Sequence, residues 1–264
     1  MTSTIETRLT GRILHVTLNR PEKRNALNMQ MCRELLGAFH HAEHDHTASC
    51  ILLSGNGAGF CSGMDLAEAR EADPRLVMDL QEKLFTLINR TQIPIVAAVQ
   101  GPVLAGGMGL AANAHIMVAA PGATFGMTEI RVGLWPVLVY RPVEMAVGER
   151  RATELCLTGR VFGAEEAKEY GLVTEIHANP VERGMEIAQG ISARSPVALR
   201  AGLDYLHQIR LRNWEQAGRI GRHTREAIMR DADFDEGTRA FLEKRKPEWP
   251  SLRGKHPQID PRPA

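Results

Sequence analysis

Residues 93–111, "IPIVAAVQGPVLAGGMGLA", limit what this chain can fold into. An apolar run, Ile93–Gly101, is followed by three small residues, Ala105, Gly106 and Gly107. Gly109 and a helix-like "LAANA" come next. Glycine is entropically costly inside regular structure, so a cluster at the point where a strand becomes a helix means that something must approach the backbone closely. A second stretch has the same grammar. "CILLSG" (Cys50–Gly55) reads as a short buried strand, and "NGAGFCSGMDLAEA" as a glycine-rich loop entering a helix.

The rest of the chain sets these joints in an α/β frame. "ILHVTLN" (Ile13–Asn19) alternates apolar and polar residues as a strand does. Pro21 and the charges of "RPEKRNALN" break it into a loop. From the N-cap Asn28, the spacing of Met31, Leu35 and Phe39 is helical. Leu76 to Ile88 reads as an amphipathic helix. Ile95–Val99, "HIMVAA" and "VTEI" read as strands, with helices around 143–147, 151–158 and 164–170. After Pro180 only helices are predicted, over roughly 181–193, 196–212, 214–230 and 234–245. This gives an α/β core over 1–192, a helical subdomain over 193–250 and a disordered Pro-rich tail over 251–264.

Composition excludes several classes of function. Lys and Arg (32) nearly balance Asp and Glu (31), so no global field points to nucleic acid or an anionic membrane. No apolar run is long enough to span a bilayer, and the N-terminus lacks the pattern of a secretory signal. Cys32, Cys50, Cys61 and Cys156 form no CxxC pair and read as reduced thiols of a cytoplasmic protein.

Two chemistries suit the glycine-rich joints. Gly107-Met108-Gly109-Leu110-Ala111-Ala112 matches a dinucleotide fingerprint, with Glu129 about 20 residues on as a ribose-binding acid. Against this, Gly101–Ala105 intervenes after the strand, and Glu129 follows "FGMT" rather than ending one. The alternative is an oxyanion hole, in which two converging loops each offer one backbone N–H to a developing negative charge. His40, His41, His44 and His46 read as a solvated helix face, since no third ligand accompanies the i,i+4 pair. Ser54 and Ser62 lack a G-x-S-x-G elbow, and Cys61 reads as a packed thiol.

Five segments carry a family resemblance: "FCSGMDL" (Phe60–Leu66), "AAVQGPVLAGGMGLA" (Ala97–Ala111), "FGMTEIRVGL" (Phe125–Leu134), "LTGRVFGAEEAKEYGLV" (Leu157–Val173) and "FDEGTRAFLEKRKPEW" (Phe234–Trp249). In order and spacing, from about residue 5 to 250, they resemble the crotonase, or enoyl-CoA hydratase/isomerase, superfamily. The resemblance implies a crotonase-like fold of repeated ββα units, with C-terminal helices that assemble trimers or dimers of trimers. It implies an acyl-CoA substrate, coenzyme A arriving as part of that substrate, and no permanently bound cofactor or metal. The oxyanion donors it implies are the N–H groups of Met64 and Gly106. In the CoA loop "EKRNAL", Lys23 and Arg24 would meet phosphates, and the backbone near Ala26 and Leu27 the adenine. Ser62, Asp65, Leu66, Ala67 and Gly107 would line the thioester and pantetheine. Trp135 would shape the acyl pocket, and Phe241 and Lys244 would reach CoA on a neighbouring subunit.

The resemblance is broken at one chemical position. Hydratases of this family commonly carry a glutamate three residues after the oxyanion glycine, and here that position is Gly109. The second family glutamate is Glu129, in an apolar stretch where burial would raise its pKa. Its bland alternative is a surface ion pair with Arg131. The glycine-rich stretch that many hydratases carry next is here the bulkier "WPVLVYRPVEMAVG". A single carboxylate suits double-bond isomerisation of an enoyl-CoA, with hydration as the alternative. A catalytically silent acyl-CoA or RNA-binding homologue and a nicotinamide oxidoreductase are the readings from other classes.

Overall fold

The computed structural model describes residues 3–44 and 47–253. A hairpin opens the chain: β1 (Ile5–Thr10) and β2 (Ile13–Leu18) pair antiparallel. There follow α1 (Met29–His44), β3 (Cys50–Gly55), α2 (Leu66–Glu71), α3 (Pro74–Phe85), β4 (Ile95–Val99), β5 (Pro102–Leu104), α4 (Gly106–Ala112), β6 (Ile116–Ala119) and β7 (Thr124–Gly126). Next come α5 (Val137–Val147), α6 (Glu149–Thr158), β8 (Phe162–Gly163), α7 (Ala164–Glu169), β9 (Glu175–Ile176) and α8 (Pro180–Ser192). The C-terminal helices are α9 (Pro196–Ile209), α10 (Trp214–Met229) and α11 (Ala232–Leu242).

The main sheet runs β1-β2-β3-β4-β6-β9, parallel beyond the first pair. Both of its faces are covered, which is why β3 and β4 read as unbroken apolar runs. Ile51, Leu53, Ala97 and Val99 face the large core with Met31, Leu35 and Phe39 of α1. Ile13, Cys50, Leu52, Val96 and Ala98 form the other face under Ala188 of α8. So α8, the first helix of the all-helical region, belongs to the sheet. The remaining three helices pack mainly on one another, with Arg210 of α9 bonded to Asn89 Oδ1 at 2.6 Å.

Several boundaries differ from the sequence expectation. The helix expected from Leu76 starts at Pro74, because Asp73 caps it by accepting from Arg75 N–H. Its last turn becomes a 3-10 turn, Leu87–Asn89. The helix expected at 143–147 begins at Val137 and contains Pro142. Strand β1 has one buried residue out of six and gives no core-strand signal. Residues 251–253 are ordered, contrary to the expected tail: Pro250–Leu252 is a 3-10 turn, and Ser251 N–H bonds Asp233 Oδ1 at 2.9 Å. The rest of that predicted tail, and His46, lie outside the described residues.

A second, small sheet, β5-β7-β8, sits beside the first and positions the glycine-rich loops. Cys61 pairs with Val103 of β5 through an isolated parallel bridge, and Leu27 pairs with Met64 in the same way. Gly107 lies hard against this layer. A Cβ there would stand 2.3 Å from the Cys61 carbonyl oxygen and 2.8 Å from its carbonyl carbon. Backbone cannot give way as a side-chain tip can. Gly107→Ala is therefore expected to lower unfolding free energy by about 1–3 kcal/mol or more. Gly122→Ala, with nothing within 4 Å, is expected to stay within about 0.5 kcal/mol. Urea denaturation of both variants checks the contrast.

Candidate active site

Three chain segments meet at the joints. The loop between β3 and α2 lies between the 20–27 loop on one side and β5 on the other. On the first side Leu27 N–H donates to Gly63 O at 2.7 Å, and Asp65 N–H donates to Leu27 O at 3.0 Å. On the second, Cys61 N–H donates to Pro102 O at 3.1 Å, and Leu104 N–H to Cys61 O at 3.0 Å. These bonds use the peptide groups on either side of Met64. Among the described residues, neither the Met64 nor the Gly106 N–H donates to a protein acceptor.

The two loops touch. A Cβ on Gly63 would lie 3.3 Å from Gly106 N and 2.8 Å from Ala105 Cβ, and Gly63 itself has φ +101°. Ala105 has φ 50° and ψ −124°, a conformation costly for any residue with a Cβ. It is held there by its N–H bond to Gly126 O at 2.8 Å. That bond ties the start of α4 to β7, and Glu129 follows β7 in the 3-10 turn Thr128–Val132. Backbone hydrogen bonds thus join the segments of Met64, Gly106 and Glu129 into one unit.

Burial raises the Glu129 carboxyl to about pKa 7, against a smaller lowering by its own backbone N–H. Its Oε2 is buried and has no hydrogen-bond partner among the described residues. Sulfur atoms lie nearby: Cys156 Sγ is 3.5 Å from Met127 Sδ, and the Cys156 thiol is pushed up to about 11, by burial first and then by Glu129. No ion pair forms between Glu129 and the exposed Arg131. The surface-pair alternative is therefore corrected. Ile130, Val132, Leu134, Trp135 and Val137 make an exposed apolar rim along the same stretch.

The other expected site residues divide into three groups. Lys23 and Arg24 are exposed beside the loop, and neither forms an ion pair among the described residues. Ser62 is half-buried, its N–H on Arg24 O, and Leu66 and Ala67 are exposed at the start of α2. A second group is committed elsewhere. The Ala26 N–H goes to Lys23 O and its carbonyl accepts from Arg20 Nη1 at 2.5 Å. Asp65 caps α2 and pairs with Arg20 at 3.0 Å, which holds its carboxyl below the ordinary carboxylate range against the raising effect of burial. Gly107 turns its Cα face to Cys61. Gly109 turns its own to Val139, where a Cβ would meet the two methyl carbons at 2.8 and 3.0 Å. The third group, Phe241 and Lys244, is exposed on and just beyond α11, whose principal packing is against α10 and the 250–252 turn.

Sequence reasoning passed over Arg20, Asn25 and Val139. The signal for Asn25 was its type: asparagine inside a charged loop tolerates left-handed backbone, and here φ is +53°. The dinucleotide alternative lacks its geometry, since Glu129 lies in a 3-10 turn and α4 follows a three-residue strand outside the main sheet. Of the histidines, His40 and His44 stack at 3.9 Å, and no metal-ligand cluster occurs among the described residues.

Comparison with known proteins agrees with this geometry. The family model described as enoyl-CoA hydratase/isomerase matches residues 8–252. A mevalonyl-coenzyme A hydratase of Aspergillus fumigatus is 33% identical over 252 residues, 91% of this chain and 92% of its own. A putative enoyl-CoA hydratase of Thermus thermophilus is 34% identical, over 90% of this chain and 98% of its own. The crystal structure of an enoyl-CoA hydratase from Mycobacterium smegmatis superposes with a TM-score of 0.88 at 30% identity, covering 93% of this chain and 98% of that one. The chain belongs to the enoyl-CoA hydratase/isomerase family.

Proposed function

We propose that this family member moves a double bond in an enoyl-CoA, with Glu129 as the only acid–base group. Glu129 takes the α-proton of a 3-enoyl thioester. The resulting dienolate oxygen is held by the N–H groups of Met64 and Gly106, each such donor contributing about 3–4 kcal/mol. Glu129 then returns the proton at the γ-carbon, giving the 2-enoyl thioester with no atom gained or lost. Lys23, Arg24 and Lys244 meet the CoA phosphates, and the apolar rim around Trp135 meets the acyl group. The reading includes assembly as a trimer or pair of trimers through the C-terminal helices, where Trp214 is 95% and Leu211 88% exposed. It also includes a cytoplasmic location, in keeping with four unpaired thiols.

The observation that carries it is one carboxylate with a buried, unpartnered oxygen, and glycine at the position where a second carboxylate would stand. Gly109 has no side chain, and Val139 fills the space in front of it. The second reading is addition of water, which the hydratase names of the relatives favour. Incubation with 3-enoyl-CoA and 2-enoyl-CoA, followed by chromatography and mass detection, separates them. Interconversion without mass change supports isomerisation; a gain of one water as the main product overturns it.

Glu129→Gln keeps size and hydrogen bonding but cannot carry a proton. It is expected to lower kcat by about 10²–10⁴-fold with CoA binding retained; a near-wild-type rate removes Glu129 from the mechanism.

The raised pKa of Glu129 has two pH signatures. As a base it must be ionised, so kcat/KM rises with pH through about 7. Stability goes the other way. The folded carboxyl holds its proton between the ordinary carboxylate range and about 7, where the unfolded chain has lost it, so stability falls as pH rises through that window. Glu129→Gln is thus expected to be more stable than the wild type at pH 8, by on the order of 1–3 kcal/mol, with the difference largely gone at pH 5. Denaturation curves at both values check this.

Gly109→Glu alone drives a side chain into Val139, so it is expected to lose about 1–3 kcal/mol of stability and gain no hydratase activity. Adding Val139→Gly makes room. The folded, CoA-binding double variant is expected to show a higher ratio of water addition to isomerisation. An unchanged ratio means that this pair does not separate the two reactions.

A further inference from the structure

Asn25 is fully buried, and every polar atom of its side chain is used. Its Oδ1 accepts from Arg20 N–H at 2.8 Å, and its Nδ2 donates to Asn56 O at 2.9 Å and Gly59 O at 3.0 Å. Its own N–H returns to Arg20 O at 2.9 Å. One side chain therefore closes the 20–25 loop on itself and grips the loop that leads into Phe60–Met64. Nearby, Ser62 N–H donates to Arg24 O at 3.0 Å, and the Leu27–Met64 bridge begins two residues on. Left-handed backbone at position 25 would be met most easily by glycine; what glycine lacks is the amide. The amide's two donors act on the loop carrying Met64 and on nothing else.

We propose that Asn25 is a positioning residue for the oxyanion hole. Its side-chain amide fixes the 56–59 carbonyls, and through them the direction of the Met64 N–H. It thereby holds the oxyanion peptide in register with the loop that carries Lys23 and Arg24. The proposal rests on the oxyanion assignment of Met64 and Gly106, and not on which product the enzyme releases.

The test reads enolate stabilisation directly. Acetoacetyl-CoA has an acidic α-carbon, and its enolate absorbs in the near ultraviolet; a working oxyanion hole raises the enolate fraction of the bound thioester. Asn25→Asp keeps the acceptor for Arg20 N–H, tolerates the same backbone and loses both donors. Asn25→Gly removes the whole side chain. Glu34→Gln is the control, a half-buried polar tie from α1 to the start of β1 that bonds none of the site's loops, with Oε2 taking Thr4 N–H at 2.8 Å and Ile5 N–H at 3.2 Å. The expected result is an enolate fraction at least tenfold lower in both Asn25 variants, measured on folded protein saturated with ligand. Dissociation constants for free CoA should stay within threefold for Asn25→Asp, and Glu34→Gln should lose stability with its enolate fraction unchanged. An enolate fraction within threefold of wild type in either Asn25 variant overturns the proposal. So does a matching loss of CoA affinity, or failure of both variants to fold, which a purely architectural asparagine would give. If the wild type itself binds acetoacetyl-CoA without enolate, the oxyanion assignment falls and the proposal with it. A finding of water addition instead of isomerisation would leave this assay as it stands.

Discussion

The site depends on two isolated backbone bridges, Leu27 with Met64 and Cys61 with Val103. Neither belongs to a regular strand of the loop it organises. Together they hold a glycine-rich segment from both sides, so that the Met64 N–H is turned away from its neighbours. For the proposed oxyanion role, an N–H used inside a sheet would be unavailable, and one left in a mobile loop would have to be oriented at the moment of reaction. The bridges avoid both outcomes. They also explain why small residues cluster here: Gly63 lies against Ala105 and Gly106, and Gly107 lies against Cys61, at separations that a Cβ would violate.

Much of this was legible in the sequence, for identifiable reasons. The buried strands β3 and β4 and helix α1 announce themselves through apolar runs and helical spacing. The two glycine-rich loops announce themselves through the entropic cost of clustered glycine. The small sheet was less legible. Its strands are two or three residues long, and no periodicity can be measured over such a length. The ties between segments were the hardest to read. Nothing in "NRPEKRNAL" says that Arg20 reaches Asp65 or that Asn25 reaches Gly59, since contacts between residues more than thirty positions apart depend on how the loops are brought together. Asp65 shows the consequence. Its place in a recognised motif suggested a residue lining the pantetheine, and gave no sign that its carboxylate is engaged by a helix N-terminus and a guanidinium.

Gly109 and Val139 illustrate why a missing side chain is only half of an observation. From sequence, glycine in place of a carboxylate could mean a roomier site. The structure shows that the volume is occupied by a valine from the next helix, so the position is an apolar contact. The bulkier residues of 135–148, which appeared only as a departure from the family pattern, acquire a physical role through that contact. Two residues thirty positions apart in sequence fit each other in space: a side chain at 109 would clash with Val139, and a smaller residue at 139 would leave a cavity.

Glu129 shows what such a site costs the fold. A carboxylate with a buried, partnerless oxygen is an unfavourable thing to keep, and burial answers by raising its pKa to about 7. In the proposed reaction that same shift would let the group take and return a proton near neutrality, since a base matched to ambient pH loses little in either direction. A partner such as Arg131 would have relieved the cost and lowered the pKa, making the carboxylate a weaker base. Stability at Glu129 and the proposed proton transfer are therefore opposed, and the backbone tie beside it, from Ala105 to Gly126, keeps the unfavourable arrangement in place.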